Sequence, residues 1–405
     1  MAKGYNIDIR KKNKRNLILN IIRNNKYISK TKIKALSKLS MSTVISCIDE
    51  LMELGYIYEA GVGESTGGRR PVWLKLKPDS AYFIGIEFNA NDVNGAVLNL
   101  AGQLVNSKNI IIRGVKDVNK VKAVIMNCIQ EFLNELGEAK DKVVGIGLGV
   151  PGLIDMEKGE SVKYVHVPDW IGIPIRDEME KKFGFKVYIS KNIHAMAMAY
   201  IWHKNYKASQ NTLFISIRTG VGMSCIVNNE MYYGKYSASG EIGHIHVADN
   251  NKKCNCGKYG CLDTELGYDA IKEKIINGMK EGKFKKIKEL IEKNNCELDI
   301  ELFVQSIEEG DEDSLELLQQ LCKYLGKAVN CAIMILNPDR VIFSGNITKP
   351  KQFLNYITKE IKEGCMEEII QNMVIECSDM GDVIGGIGAA AVVMQKEFGF
   401  TTKPI

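Results

Sequence analysis

Nowhere do apolar residues run on for the roughly 18 positions that a membrane-spanning helix requires. The Met-Ala-Lys-Gly start turns polar and basic at once instead of opening a leader-like stretch. These two absences predict a soluble, cytoplasmic protein with no membrane partner. Pairing is missing among the cysteines as well. Eleven is an odd count, and most stand singly among apolar residues, as free thiols do in a reducing compartment where Cys acts as a small core hydrophobe. The third shortage is local. Residues 1–77 hold 16 Lys and Arg against 6 Asp and Glu, whereas the rest of the chain holds 38 against 43. The net charge of +5 over 405 residues therefore conceals a basic head and a body with no basic excess. That asymmetry is the electrostatic footprint of a nucleic-acid-binding appendage, and the length implies two or three cores.

What is present in the head reads as three short helices and a hairpin. Leu17, Ile18, Ile21 and Ile22 recur at helical spacing, Ile33 and Leu36 mark a second helix, and Val44, Ile48, Leu51, Met52 and Leu54 a third. Ser37-Lys38-Leu39-Ser40 is the tight connection of a helix-turn-helix, with Ser40 placed to accept a backbone N–H of helix three. Gly55 stops that helix; Tyr56–Tyr58 and Val72–Leu76 then alternate like two strands around the Gly61–Gly68 turn. This predicts a wing. A third helix of this kind enters the major groove by its N-terminal polar face, here Ser42, Thr43 and Ser46. Arg69 and Arg70 sit on a narrow loop of a shape that enters a minor groove. With a single recognition helix, useful affinity requires a dimer reading two half-sites.

The body opens with a buried-strand run, Ala81–Phe88, followed by Val93–Leu100 and a turn at Gly102. A comparable pattern returns at Thr212–Ile217, Thr219–Gly222, Ser224–Val227 and a turn at Asn228-Asn229. Two such hairpins, with buried strands such as Val143–Gly149, predict a duplicated α/β unit. The sharpest chemistry lies between: Glu241-Ile242-Gly243-His244, then Cys254, Cys256 and Cys261 among Asn, Lys and Gly. One His and three Cys make a complete tetrahedral zinc set, with His246 as the alternative fourth ligand. Four protein ligands leave no position for water, so the expected zinc is structural.

Glu-x-Gly-His followed by Cys-x-Cys-Gly-x-x-Gly-Cys resembles the signature of the ROK family, bacterial sugar kinases and sugar-responsive repressors. Gly149-Val150-Pro151-Gly152, Pro168–Gly172, Thr219–Gly222, Asn337–Ile342 and Ile384–Ala390 are similar to that family's elements in the family's order. The head, ending in Gly-Gly-Arg-Arg-Pro, is similar to that of its NagC/XylR-like repressor branch. The resemblance implies an α/β chain: a winged helix-turn-helix over 1–77, then a two-lobed actin-like, ribonuclease H-like sugar-kinase fold with a zinc knuckle. Lobe one would span 78–200, completed by a C-terminal helix at 380–398, and lobe two, with the zinc, 201–379.

It also implies site residues. Glu241 and His244 match the family's sugar contacts, Asp263 stands where members often have Glu, and Asn192 takes the place of the catalytic Asp; Gly152 completes the expected sugar set. Lys191 and His194 stand where the family commonly has Asn, and His194 reads equally as a solvated helix residue or a ligand contact. Family kinases carry Asp-x-Gly-x-Thr in the first hairpin, where this chain has Glu87-Phe88-Asn89-Ala90-Asn91. An amide at Asn192 has no basic lone pair at neutral pH, so the general base of phosphoryl transfer is absent. The expectation is a non-enzymatic repressor of carbohydrate-use genes. Its partners would be operator DNA and a sugar or sugar phosphate effector, and it would act as a homodimer or dimer of dimers. A sugar kinase, or a regulator answering to a protein partner, are the alternatives.

Overall fold

Apolar residues three and four apart bury one stripe of each head helix. Ile18, Leu19, Ile21 and Ile22 of α1 (Ala2–Arg23), Ile33 of α2 (Lys30–Ser37), and Val44, Cys47, Ile48 and Leu51 of α3 (Met41–Glu53) all enter one core. Strands β1 (Ile28–Ser29), β2 (Ile57–Val62) and β3 (Val72–Leu76) form an antiparallel sheet in the order β1-β3-β2, with Ile57 opposite Leu76. Three helices and a hairpin are thus present, but α1 is 22 residues long rather than short. Leu36, Met52 and Leu54 are exposed: they lie on helix flanks that no other element covers, so period alone places them wrongly.

The computed structural model describes residues 2–62, 70–204 and 211–400. The chain forms two compact units, Met1–Lys207 with Val383–Ile405, and Ala208–Asp382. In the first, β4 (Tyr82–Phe88), β5 (Asp92–Asn99) and β6 (Leu104–Ile111) run as an antiparallel meander. α4 (Val118–Leu136) leads to β7 (Val143–Val150), and a small sheet of β8 (Leu153–Asp155), β9 (Glu160–Lys163) and β10 (Ile171–Ile173) precedes α5 (Ile175–Phe183), β11 (Val187–Lys191) and α6 (Asn192–Lys204). The main sheet has the order β11-β7-β4-β5-β6, with β7 and β11 parallel to β4. All seven residues of β4 are buried, as a strand covered on both faces demands.

The second unit repeats the plan. β12 (Thr212–Ile217), β13 (Val221–Val227) and β14 (Glu230–Tyr232) form the meander. α7 (Asp263–Leu266), α8 (Tyr268–Lys280), α9 (Lys285–Asn294), α10 (Ile300–Glu308) and α11 (Glu312–Leu336) follow. β15 (Arg340–Ser344), α12 (Lys351–Gly364), α13 (Glu367–Ile370) and β16 (Val374–Cys377) complete the unit. The order β14-β13-β12-β15-β16, with β15 and β16 parallel to β12, is that of the first sheet. Two copies of a meander extended by two parallel strands make the body actin-like and ribonuclease H-like.

The chain returns to the first unit as α14 (Ile384–Phe398). Its close seat depends on glycine: a Cβ at Gly147 of β7 would come within 1.9 Å of the Ala389 carbonyl oxygen of α14. At its far end Ala390, Met394 and Phe398 join the head's own core residues in one cluster. Glu397 adds polar ties. Its carboxylate accepts from Lys186 at 3.0 Å, Lys12 of α1 at 3.1 Å and the Tyr188 hydroxyl, and its carbonyl accepts from Asn16 at 3.2 Å. Arg23 stacks over Trp202 and Phe400, 4.6 and 4.5 Å from their centroids.

Candidate functional site

Ser40 caps α3, accepting from the Thr43 N–H at 3.2 Å, with the hydroxyls of Ser42 and Thr43 at 3.0 and 2.8 Å. Lys38, at φ 55° in the left-handed region, turns the chain between α2 and α3. Ser42 and Ser46 are exposed and Thr43 half-buried, so the start of α3 offers three hydroxyls to a ligand. On the preceding α2 and its turn Lys32, Lys34 and Lys38 are exposed, and no acid lies in the first turn of α3. Arg70 is exposed; Arg69 lies outside the described residues.

In the second unit the knuckle folds on its own backbone. Cys254 N–H donates to Lys258 O at 2.7 Å and Gly257 N–H to Cys254 O at 2.9 Å. Gly260, at φ 66°, could not carry a side chain, because a Cβ would meet the Ala248 carbonyl oxygen at 2.0 Å. The result gathers donor atoms of His244, Cys254, Cys256 and Cys261, all within 4.8 Å of one another. His244 Nδ1 lies 3.6 Å from Cys254 Sγ, and the Sγ atoms of Cys256 and Cys261 are 3.7 Å apart. Tetrahedral bonds of ordinary Zn–S and Zn–N length imply separations of about 3.5 Å for N···S and about 3.8 Å for S···S. The four donors can therefore hold a metal ion of that geometry. His246 is not among them; its Nε2 turns toward Asp249 Oδ1, 3.7 Å away. Of the other eight cysteines, Cys47, Cys128, Cys225 and Cys322 are buried singly, Cys365 and Cys377 are half-buried, and Cys296 and Cys331 are exposed.

Glu241 and Asp263 flank His244. Glu241 Oε2 lies 3.8 Å from His244 Nε2, and Asp263 Oδ2 lies 3.8 Å from Nδ1. Asp263 Oδ1 also accepts the Val221 N–H at 2.7 Å, so a carboxylate fills the glycine turn Thr219–Gly222. Glu241, His244 and Asp263 are thus brought together; Asn192 and Gly152 belong to the other unit. Gly152, at φ 76°, is a turn glycine facing the Lys163 carbonyl oxygen.

The first hairpin turn is likewise filled by its own side chains. Asn89 Nδ2 and Asn94 Nδ2 donate to Asp92 Oδ1 at 2.7 and 2.5 Å, and Asn91 N–H donates to Asn89 Oδ1 at 2.8 Å. A turn so occupied, with an acid at its centre, has neither the bare N–H groups nor the charge to receive a phosphate. Beneath it, Glu87 is fully buried. Its Oε2 accepts from Asn94 Nδ2 at 3.1 Å, and its Oε1 from Asn192 Nδ2 at 3.3 Å. Asn192 Oδ1 meanwhile accepts the N–H of the next residue, Ile193, at 2.8 Å. His194 is buried, which removes the solvated reading; burial and then the positive charge of Lys191 pull it down to about 3, so the ring is neutral at neutral pH. Sequence reasoning passed over Glu87 as a functional residue, although an acid inside the apolar run Tyr82–Phe88 is a visible signal.

A family model described as the ROK family matches residues 83–396. The chain belongs to the ROK family. Among curated ROK relatives, the xylose repressor of Caldicellulosiruptor bescii is 27% identical over 385 residues, covering 95% of this chain and 96% of its own length. The DNA-binding transcriptional dual regulator NagC of Escherichia coli is 24% identical over 369 residues, covering 90% and 88%. Of solved structures, a ROK family transcriptional regulator described as a homolog of the Escherichia coli MLC protein aligns at TM-score 0.80 and 23% identity, over 96% of this chain and 97% of that one. A ROK family glucokinase from Streptomyces griseus, in complex with glucose and AMPPNP, aligns at 0.67 and 18% identity, over 78% and 100%. The fold is that of the ROK body, and the likeness to the regulator extends over the head as well.

Proposed function

We propose that this ROK protein is a sugar-responsive transcription repressor of carbohydrate-use genes whose body binds a sugar without phosphorylating it. The observation that carries the reading is the basic head, a helix-turn-helix with a wing whose recognition helix exposes its polar start. Relatives named as repressors, matching 95% of the chain, support it. Ser42, Thr43 and Ser46 would meet base edges, with Arg69 and Arg70 of the wing in a minor groove. A homodimer, or a dimer of dimers, would present two heads to two half-sites of operator DNA.

Two residues speak against catalysis. Asp92 occupies the first hairpin turn, which would cradle phosphate, and Asn192, which cannot accept a proton, stands where a kinase needs its base. The same groups suit a hydroxylated ligand. Glu241 and Asp263 accept hydroxyl protons, Asn192 both donates and accepts, and Gly152 would belong to the same sugar set through its backbone, its missing side chain leaving space only for the Lys163 carbonyl oxygen. The metal would be zinc, since three thiolates and an imidazole at these separations suit that ion, and its role would be to close the 244–261 loop. His244 would hold zinc through Nδ1, leaving its Nε2–H to donate to a sugar oxygen or sugar phosphate. No helix among the described residues is long and apolar enough to cross a membrane.

The test combines two titrations. Incubation with Mg-ATP and a panel of hexoses and pentoses should yield no sugar phosphate, while one sugar of the same panel raises the melting temperature. Steady ATP-dependent turnover would overturn the sensor reading, and a panel without any stabilising sugar would overturn the sugar-responsive part.

A further inference from the structure

The inward stripe of α3 is Val44, Cys47, Ile48 and Leu51. At 100° per residue the opposite face is Ser42, Ser46, Asp49 and Glu53, with Ile45 and Met52 on one flank. Glu50 lies on the other flank, where Arg15 and Lys11 of α1 hold it at 2.6 and 3.2 Å. Ile45 is 40% exposed although it is the most apolar residue of the helix's first two turns and every other Ile of the head helices α2 and α3 is buried. Nothing in the head's core needs it, so its place beside Ser42, on the flank away from Thr43, calls for another apolar partner.

Charge narrows that partner. Exposed Lys38 sits in the turn that leads into α3 and exposed Lys32 and Lys34 on the preceding α2, whereas Asp49 and Glu53 occupy the outward face of the second half of α3. A polyanion can approach the helix only through its first turn and a half, residues 42–46, and is repelled beyond. A protein-docking face would be a broad contiguous apolar patch; here Ile45, with Met52 two turns along the same flank, borders an outward face of Ser42, Ser46, Asp49 and Glu53. That mosaic fits a base edge in the major groove, where thymine alone offers a methyl group beside its acceptor.

We infer that Ile45 packs against the 5-methyl group of a thymine in each half-site and makes the protein select T over C at that position. The inference rests on the DNA-binding reading of the head. Ser42, Thr43 and Ser46 supply hydrogen bonds around the contact, and Asp49 sets the depth of insertion by keeping the second half of α3 away from phosphates.

The experiment uses the full-length protein and a random-sequence duplex library, from which a bound duplex is selected and then prepared with sparse deoxyuridine in place of thymidine. Uracil keeps every hydrogen-bonding atom of thymine and lacks only the methyl. In the wild type, one uracil at the sensitive position of a single half-site should weaken binding roughly fourfold, the value of one buried methyl. Ile45→Ala alters both heads of a dimer, so it should weaken binding to the thymine duplex by roughly sixteenfold or more and abolish the uracil effect at that position, leaving other positions unchanged. Because Ile45 is exposed, zinc content and melting temperature should not move. A selected duplex with no uracil-sensitive position, or the same sensitivity in Ile45→Ala, would overturn the assignment alone. A change of oligomeric state in Ile45→Ala with an unchanged uracil map would overturn it in favour of a protein partner. Failure to select any duplex would overturn the DNA-binding reading and this inference with it.

Discussion

Under the proposed function, Asn192 is where a single side chain would decide between two chemistries. Its amide donates to Glu87 Oε1 at 3.3 Å, deep in a unit where Glu87 is fully buried. Replacing it with the kinase's carboxylate would set two acids side by side, and one would take up a proton well above the usual carboxylate range, even with Lys191 buried nearby. Asn192→Asp should therefore yield no phosphotransferase, because Asp92 still fills the first hairpin turn. It should also lose roughly 1–3 kcal/mol of stability at pH 7. Part of the loss should return near pH 5, where a shared proton restores the hydrogen bond; urea midpoints at the two pH values measure it, and a loss that grows on acidification would contradict the contact. Asn192 itself was legible, since the absence of a carboxylate after β11 is a fact of sequence. Its partner Glu87 was not, because only the parallel pairing of β4 with β7 and β11 brings residues 105 positions apart into contact.

Among the elements, the knuckle and α14 behave differently under mutation. Cys256 is the exposed cysteine of the metal set, so Cys256→Ser fills the same space and removes one thiolate. It should lower both bound metal and melting temperature; full metal content in the variant would disprove the site. α14 is held by Glu397, whose carboxyl is pushed up by burial but drawn down to about 2 by Tyr188, Lys186 and Lys12. An acid with a depressed folded value contributes stability above its unfolded value, about 4.3, and loses it as pH falls toward 2. Glu397→Gln should thus cost most near neutrality and progressively less below pH 4, read as the gap between wild-type and variant urea midpoints; a constant gap would contradict the charged network. The knuckle could be read from spacing alone because all its ligands fall within 18 residues. Strands β4, β7 and β12 were legible as predominantly apolar runs. Helix α14 was legible as a helix, but its junction with the head depends on Phe398 and Glu397 meeting residues nearly 400 positions away, which no local period reports. Met52 and Leu54 show the converse: apolar residues at helical spacing remain exposed where no partner element arrives.

At the scale of the whole molecule, a head of strong positive charge and a body without it predict binding to duplex DNA that salt weakens steeply. Replacing Arg69 and Arg70 together by Ala should lower affinity and reduce the salt slope by about one unit for each arginine that touches phosphate. An unchanged affinity and slope would take the wing off the DNA. The body's part is to change that binding, and a sugar can do so only by its differential affinity for the two states. The most direct measurement is the affinity of the full-length protein for its selected duplex at one fixed salt concentration, with and without each sugar of the hexose and pentose panel. A regulator of this kind should prefer the selected duplex over a scrambled one by at least about 10³-fold, with one sugar shifting that affinity and ATP shifting nothing. Equal affinity for both duplexes, or an affinity that no sugar moves, would contradict a sugar-responsive repressor.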